Sequence, residues 1–142
     1  MTKEEFAELR EKFYKALTKK PLTTQQAQEF LERSKVPGKI IDMLIHEAAN
    51  IGLIDDFIYS RLFIEGHLHW GDAKILYELS ARGVSRENIN RALDESEPES
   101  QRACELAQSW RDYGLEERKI AARLRSRGFT NRAIDAINDS LE

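Results

Sequence analysis

Apolar residues recur along this chain at three- and four-residue steps. In KIIDMLIHEAANI, residues Ile41, Leu44, Ile45, Ala48 and Ile51 fall on one face of a helix. No segment of useful length alternates apolar and polar residues as a half-buried strand does. The spacing predicts helices over 3–19, 24–35, 38–50, 56–68, 72–81, 86–95, 98–112, 116–126 and 131–141, and so an all-α fold.

Small polar residues and glycines mark the helix ends. Thr2 with Glu5, and Thr23 with Gln26, match the capping box, in which each side chain satisfies a free amide of the other. Ser85, Thr130 and Asp72 are further candidate N-caps. Gly52, Gly83 and Gly128 follow periodic runs, where a left-handed residue closes a helix. The abrupt pair of acids in NIGLIDDF is then punctuation. Gly52 ends one helix, Leu53 packs back, Ile54 staples, and Asp55 or Asp56 caps the next helix at its positive end.

The same grammar repeats. WGDAKILYELSARGVSRENINRAL (70–93) aligns with LEERKIAARLRSRGFTNRAIDAIN (115–138) at an offset of 45, pairing Ile75 with Ile120, Leu79 with Leu124, and Gly83 with Gly128. A weaker copy, LTTQQAQEFLERSKVPGKIIDMLI (22–45), carries Lys35 in place of the glycine, so that helix end needs another solution. The unit is a trio of helices. The expected architecture is an elongated, curved array of three tandem three-helix repeats, a single repeat domain with modules at about 1–52, 53–97 and 98–142. Such arrays present long surfaces to macromolecules and seldom enclose a substrate pocket.

Composition narrows the partners. The chain has 142 residues, 33% of them charged, and a net charge of -3, which argues against a protein that grips bare DNA over a wide surface. Its single cysteine, Cys104, forms no internal disulfide and reads as a small buried residue. No apolar run approaches the roughly 18 residues of a membrane helix, and the charged start is unlike a signal peptide. A cytoplasmic, soluble monomer is expected. Among possible chemistries, His67 and His69 stand two apart on an expected helix and point to different sides, so they are not read as metal ligands. No nucleophile–base pair or phosphate loop stands out, so no catalytic residue, cofactor or metal is assigned.

The order and spacing of GLIDDFIYSRLFIEG (52–66), ELSARGVSRENINRAL (78–93) and RLRSRGFTNRAIDAI (123–137) resemble the RecX family of bacterial recombination regulators. The resemblance runs from about residue 13 to 140. It implies a non-enzymatic protein that lies in the groove of the RecA filament on single-stranded DNA and hinders filament growth, strand exchange and ATP hydrolysis. The first module departs from the family in its reduced basic character, KKPLTTQQAQEFL.

The clearest charge feature is RKIAARLRSRGFTNR (118–132), with six basic residues and no acid. Lys119, Arg123 and Arg127 form a row at four-residue steps beside the buried stripe, with Arg118 and Arg125 on its other side and Arg132 beyond. Arg61, Lys74 and Arg82 are further candidate contacts, and Trp70 is expected to pack between modules. These cations suit either phosphates or the carboxylates of an acidic partner. The acidic run DESEPES (94–100) is expected to act as a hydrated hinge between the second and third modules. The alternative to a filament regulator is a helix-turn-helix DNA-binding protein, with Asn88 and Asn90 on the helix after Ser85.

Overall fold

The computed structural model describes residues 1–139 and is all-helical. Its helices are α1 (Lys3–Lys19), α2 (Thr24–Glu32), α3 (Gly38–Asn50), α4 (Asp56–Glu65), α5 (Asp72–Ala81), α6 (Arg86–Asp94), α7 (Glu99–Asp112), α8 (Glu117–Ser126) and α9 (Asn131–Asp139). The expected end of the last helix, residue 141, lies outside the described residues. None of these helices is long and apolar enough to cross a membrane.

Each helix buries the stripe its spacing dictates. α1 inserts Leu9, Phe13 and Leu17, α5 inserts Ile75 and Leu79, and α8 inserts Ile120 and Leu124. The buried side chains gather into three clusters in series. One spans Leu9 to Ile54, one Ile64 to Ala92, and one Ala103 to Ile137. Packing is densest inside these groups, α2 on α3, α4 on α6 and α7 on α9. Ile51, the last residue of the apolar stripe in α3, is exposed, because the helix stops one residue earlier. Cys104 is half-buried against the third cluster.

The caps follow local chemistry. Thr23 and Gln26 close a reciprocal capping box, Thr2 accepts from the Glu5 amide, and Ser85 accepts from the Asn88 amide. Asp55 caps α4 by accepting from the amides of Phe57 and Ile58 at 3.0 and 3.1 Å. Asp72 is not a cap. Gly71 holds that position, and the Asp72 carboxylate is drawn instead to Arg102. Left-handed residues close the helices, at Gly52, Gly83 and Gly128 as the spacing predicts and also at Gly114. At the turn that lacks a glycine, Lys35 itself takes a positive φ of 54°. That conformation costs an L-residue about 1–2 kcal/mol.

Two helices are shorter than their apolar pattern predicts. α2 ends at Glu32 because the Arg33–Lys35 turn uses the last carbonyls, Lys35 N donating to Glu32 O at 3.0 Å. α4 ends at Glu65, and residues 67–70 fold as turns. There His67 Nδ1 lies 2.6 Å from the Phe63 carbonyl, and the His67 ring lies 4.1 Å from Phe63 and 4.3 Å from Trp70 between centroids. The two histidines are therefore not on a helix as expected, and their rings stand 6.1 Å apart.

The trios meet at two seams of similar design. At the first, between α2 and α5, Thr23 Oγ1 donates to the Arg82 carbonyl at 2.7 Å, and Asp56 accepts from the amide and hydroxyl of Thr24. At the second, between α5 and α8, Gly71 N donates to Arg127 O at 2.8 Å and Ala73 N to Gly128 O at 3.1 Å. Each seam sets the positive start of one helix on the negative end of another, so the two helix dipoles attract. The approach at the second seam is close. A β-carbon on Gly71 would fall 2.1 Å from Phe129 N, and one on Gly128 would fall 2.6 Å from Lys74 N.

These contacts separate strain from crowding. Gly71→Ala is expected to lose about 3 kcal/mol or more, an overpacking cost at the upper end of the usual range, because backbone blocks the new methyl. Gly114→Ala, with φ 89° but open space around it, should lose only about 1–2 kcal/mol. Lys35→Gly should gain roughly 0.5–1 kcal/mol, the relief of strain less glycine's added chain entropy. Chemical denaturation of the three variants checks all of these. A Gly71→Ala protein as stable as the parent would mean that the seam is loosely packed.

Candidate interaction surface

The second seam engages its acids. Arg102, only 2% exposed, donates to the Trp70 carbonyl, to Asp72 Oδ1 at 2.5 Å and to the Glu97 carbonyl at 3.1 Å. Glu99 accepts from the Asp72 amide at 2.7 Å and from the Thr130 amide and hydroxyl at 3.2 and 2.6 Å. The DESEPES segment is therefore a clasp and not a hydrated hinge. The Glu99 carboxylate and the Glu97 carbonyl tie α5, α7 and the start of α9 together, while Asp94 and Glu95 stay exposed. Burial pushes the Asp72 carboxyl above its usual range, Glu99 adds to the rise, and Arg102 opposes it.

With those acids turned inward, the cations beside them stay unneutralised. Arg127 is the C-cap of α8, and both Arg123 and Arg127 lie over the Trp110 ring at 5.2 Å. Lys74 lies 4.2 Å over the Trp70 ring, and its stem touches the Gly128 turn next to Arg127. His69 is held below its ordinary pKa by burial and then by the nearby charges of Arg127, His67 and Lys74. The seam thus brings Lys74, Arg123 and Arg127 into one patch with two tryptophans.

The other expected contacts fall elsewhere. Arg118, Lys119, Arg125 and Arg132 are exposed and form no ion pair among the described residues. The nearby Glu117 is engaged by Arg111 at 2.6 Å, which holds the Glu117 carboxyl below its usual range. Arg82 belongs to the first seam. It caps α5, pairs with Glu78 at 3.0 Å and lies over Phe63 at 4.8 Å. Arg61 sits half-buried on α4, and no ion pair among the described residues includes it.

Sequence reading missed three parts of this surface. Trp110 carries no local signal, because only the packing of α7 on α8 brings it beneath two arginines. Arg102 had one available sign, a charged residue next to Ala103 in a run whose neighbours are buried. The third is a recurrence, since α2, α5 and α8 all end on an arginine C-cap, Arg33, Arg82 and Arg127. Among the described residues, no group of three or more His, Cys, Asp or Glu side chains is placed to hold a metal ion.

The fold is all-helical, with three apolar cores in series, and its candidate site is an open cationic surface built where two trios meet. That fold is the fold of RecX. The chain superposes on the crystal structure of RecX from Lactobacillus salivarius with a TM-score of 0.85 at 18% identity, covering 99% of this chain and 98% of that one. A second crystal structure, of regulatory protein RecX, matches with a TM-score of 0.75 at 20% identity, covering 94% of this chain and 73% of the other. No protein-family model and no curated protein sequence matches the chain.

The buried clasp has a measurable signature. Arg102→Ala leaves the half-buried Asp72 without its cation and three acceptors without a donor, and is expected to cost about 2–3 kcal/mol at pH 7 by denaturant titration. The sign with pH follows from the raised Asp72 pKa. The folded state holds that proton more tightly than the unfolded chain, so ionised Asp72 costs stability that returns as pH falls through the raised value. Without Arg102 to oppose the shift, the variant should regain more stability than the parent between pH 7 and 5. An equal pH response in the two proteins would show that Asp72 is not the group left uncompensated.

Proposed function

We propose that this chain is a RecX-type regulator that binds the RecA recombinase filament on single-stranded DNA and restrains its growth, strand exchange and ATP hydrolysis. In this reading it is a cytoplasmic monomer, a single domain of three repeats arranged as a curved array, with no chemistry of its own. The observation that carries the proposal is fold likeness over nearly the whole chain, at a TM-score of 0.85 to RecX. The motifs around Gly52, Gly83 and Gly128 that resemble the family support it independently.

The contact surface is assigned to the cations. Lys119, Arg123 and Arg127, with Arg118, Arg125 and Arg132, offer α8 and the start of α9 to an acidic or phosphate-bearing partner. Lys74, Arg82 and Arg61 extend the contact toward the second trio. A filament offers such a partner at regular intervals along a groove, and a protein with its cores in series suits that geometry.

Adding this protein to RecA on single-stranded DNA is expected to lower ATP hydrolysis, with no hydrolysis by the protein alone. Changing Lys119, Arg123 and Arg127 together to alanine should weaken filament binding about tenfold or more, since each lost charge-assisted contact is worth roughly 1.5–3 kcal/mol before compensation. Helix content should be unchanged, and stability should shift by about 0.5 kcal/mol for Lys119 and by roughly 0.5–1 kcal/mol for each arginine lost from the Trp110 ring. Unaltered ATP hydrolysis with the parent protein would sink the proposal. A strong, sequence-dependent shift of duplex DNA would point instead to the helix-turn-helix reading.

A further inference from the structure

We propose that the second seam carries a stacking site for a single strand of nucleic acid, formed by Trp70 with Lys74 and by Trp110 with Arg123 and Arg127. The proposal rests on the regulator reading and deepens it, because it assigns this patch to the strand inside the filament and not to the recombinase itself.

Three observations converge. First, the chain's two tryptophans are both half-buried, and each has a cation over its ring, Lys74 at 4.2 Å and the two arginines at 5.2 Å. Secondly, the patch is continuous across the seam, since the Gly128 turn that follows Arg127 packs on the stem of Lys74. Thirdly, none of these three cations is in an ion pair among the described residues, and two acids at the seam have other partners, Asp72 with Arg102 and Glu99 with Thr130. His69 registers the result, its protonation opposed by Arg127 and Lys74 once burial has acted.

Rings beside unpaired cations are the chemistry of single-strand binding. Bases stack on tryptophan or on a guanidinium plane, and the cations hold the phosphates between them. An acidic protein segment would satisfy the cations and make no use of the part of each ring that stays exposed. A duplex keeps its bases stacked on one another, out of reach of a half-buried ring. The net charge of -3 keeps the affinity for a free strand modest, and three phosphate contacts at about 0.7 each give a salt slope of roughly 2, as suits a site that acts once the strand is held in a filament.

The two tryptophans are also the reporters. Titration of the intact protein with a twenty-nucleotide oligothymidylate at low salt is expected to quench its intrinsic fluorescence. Trp70→Phe and Trp110→Phe should each retain part of the quenching, from the tryptophan that remains. Lys74→Ala combined with Arg127→Ala should weaken binding at least tenfold and reduce the salt slope by roughly 1.4, two single-strand phosphate contacts at about 0.7 each. Circular dichroism checks that the variants keep their helices.

Absence of quenching by the oligonucleotide overturns the inference, as does equal quenching by polyglutamate or by a duplex. An unchanged salt slope in the double variant does the same. The regulator reading is tested apart from this, by RecA ATP hydrolysis with the same proteins. Inhibition that persists without any strand binding discards the stacking site alone, and strand binding without inhibition discards the regulator alone.

Discussion

The structure depends on one contact, the seating of a helix start upon the closing turn of another helix. At the second seam, Gly71 and Ala73 give their free amides to the carbonyls of Arg127 and Gly128. Four amides at a helix start and four carbonyls at a helix end normally need caps or water. Here each end supplies what the other lacks, and the opposed partial charges attract. Gly71 and Gly128 make the approach possible because neither carries a β-carbon, and Gly128 also supplies the left-handed turn. One device thus joins separate cores and fixes the position of every side chain around the joint.

From that joint the charge distribution follows. The protein is acidic overall, yet Asp72 and Glu99 are turned into the seam, where Arg102 and the helix starts use them, and Glu117 is held by Arg111. Among the described residues, Lys74, Arg123 and Arg127 are in no ion pair. Net charge is therefore a poor guide to this surface. What matters is which side of the seam each charge faces, and packing decides that.

Much of the fold was legible because helix grammar is local. The four-residue steps of Leu9, Phe13 and Leu17, the box of Thr23 with Gln26, and the glycines at 52, 83 and 128 need only neighbouring residues to be read. The shortfalls came where distant residues compete. The apolar run through Phe63 and His67 continues the pattern of α4, but the chain turns there so that Trp70 and Gly71 reach Arg102 and Arg127. DESEPES reads as a solvated linker until the amides it caps are known. The basic row was visible as a row, but its division, with Arg123 and Arg127 over Trp110 and Lys119 in no ion pair among the described residues, needed the packing of α7 on α8.

The two seams are not equals. The second is sewn by paired main-chain bonds and a buried guanidinium, while the first, among the described residues, is held by the side chains of Thr23, Thr24 and Asp56. With fewer main-chain bonds across it, the joint beside Gly83 is the one expected to loosen first.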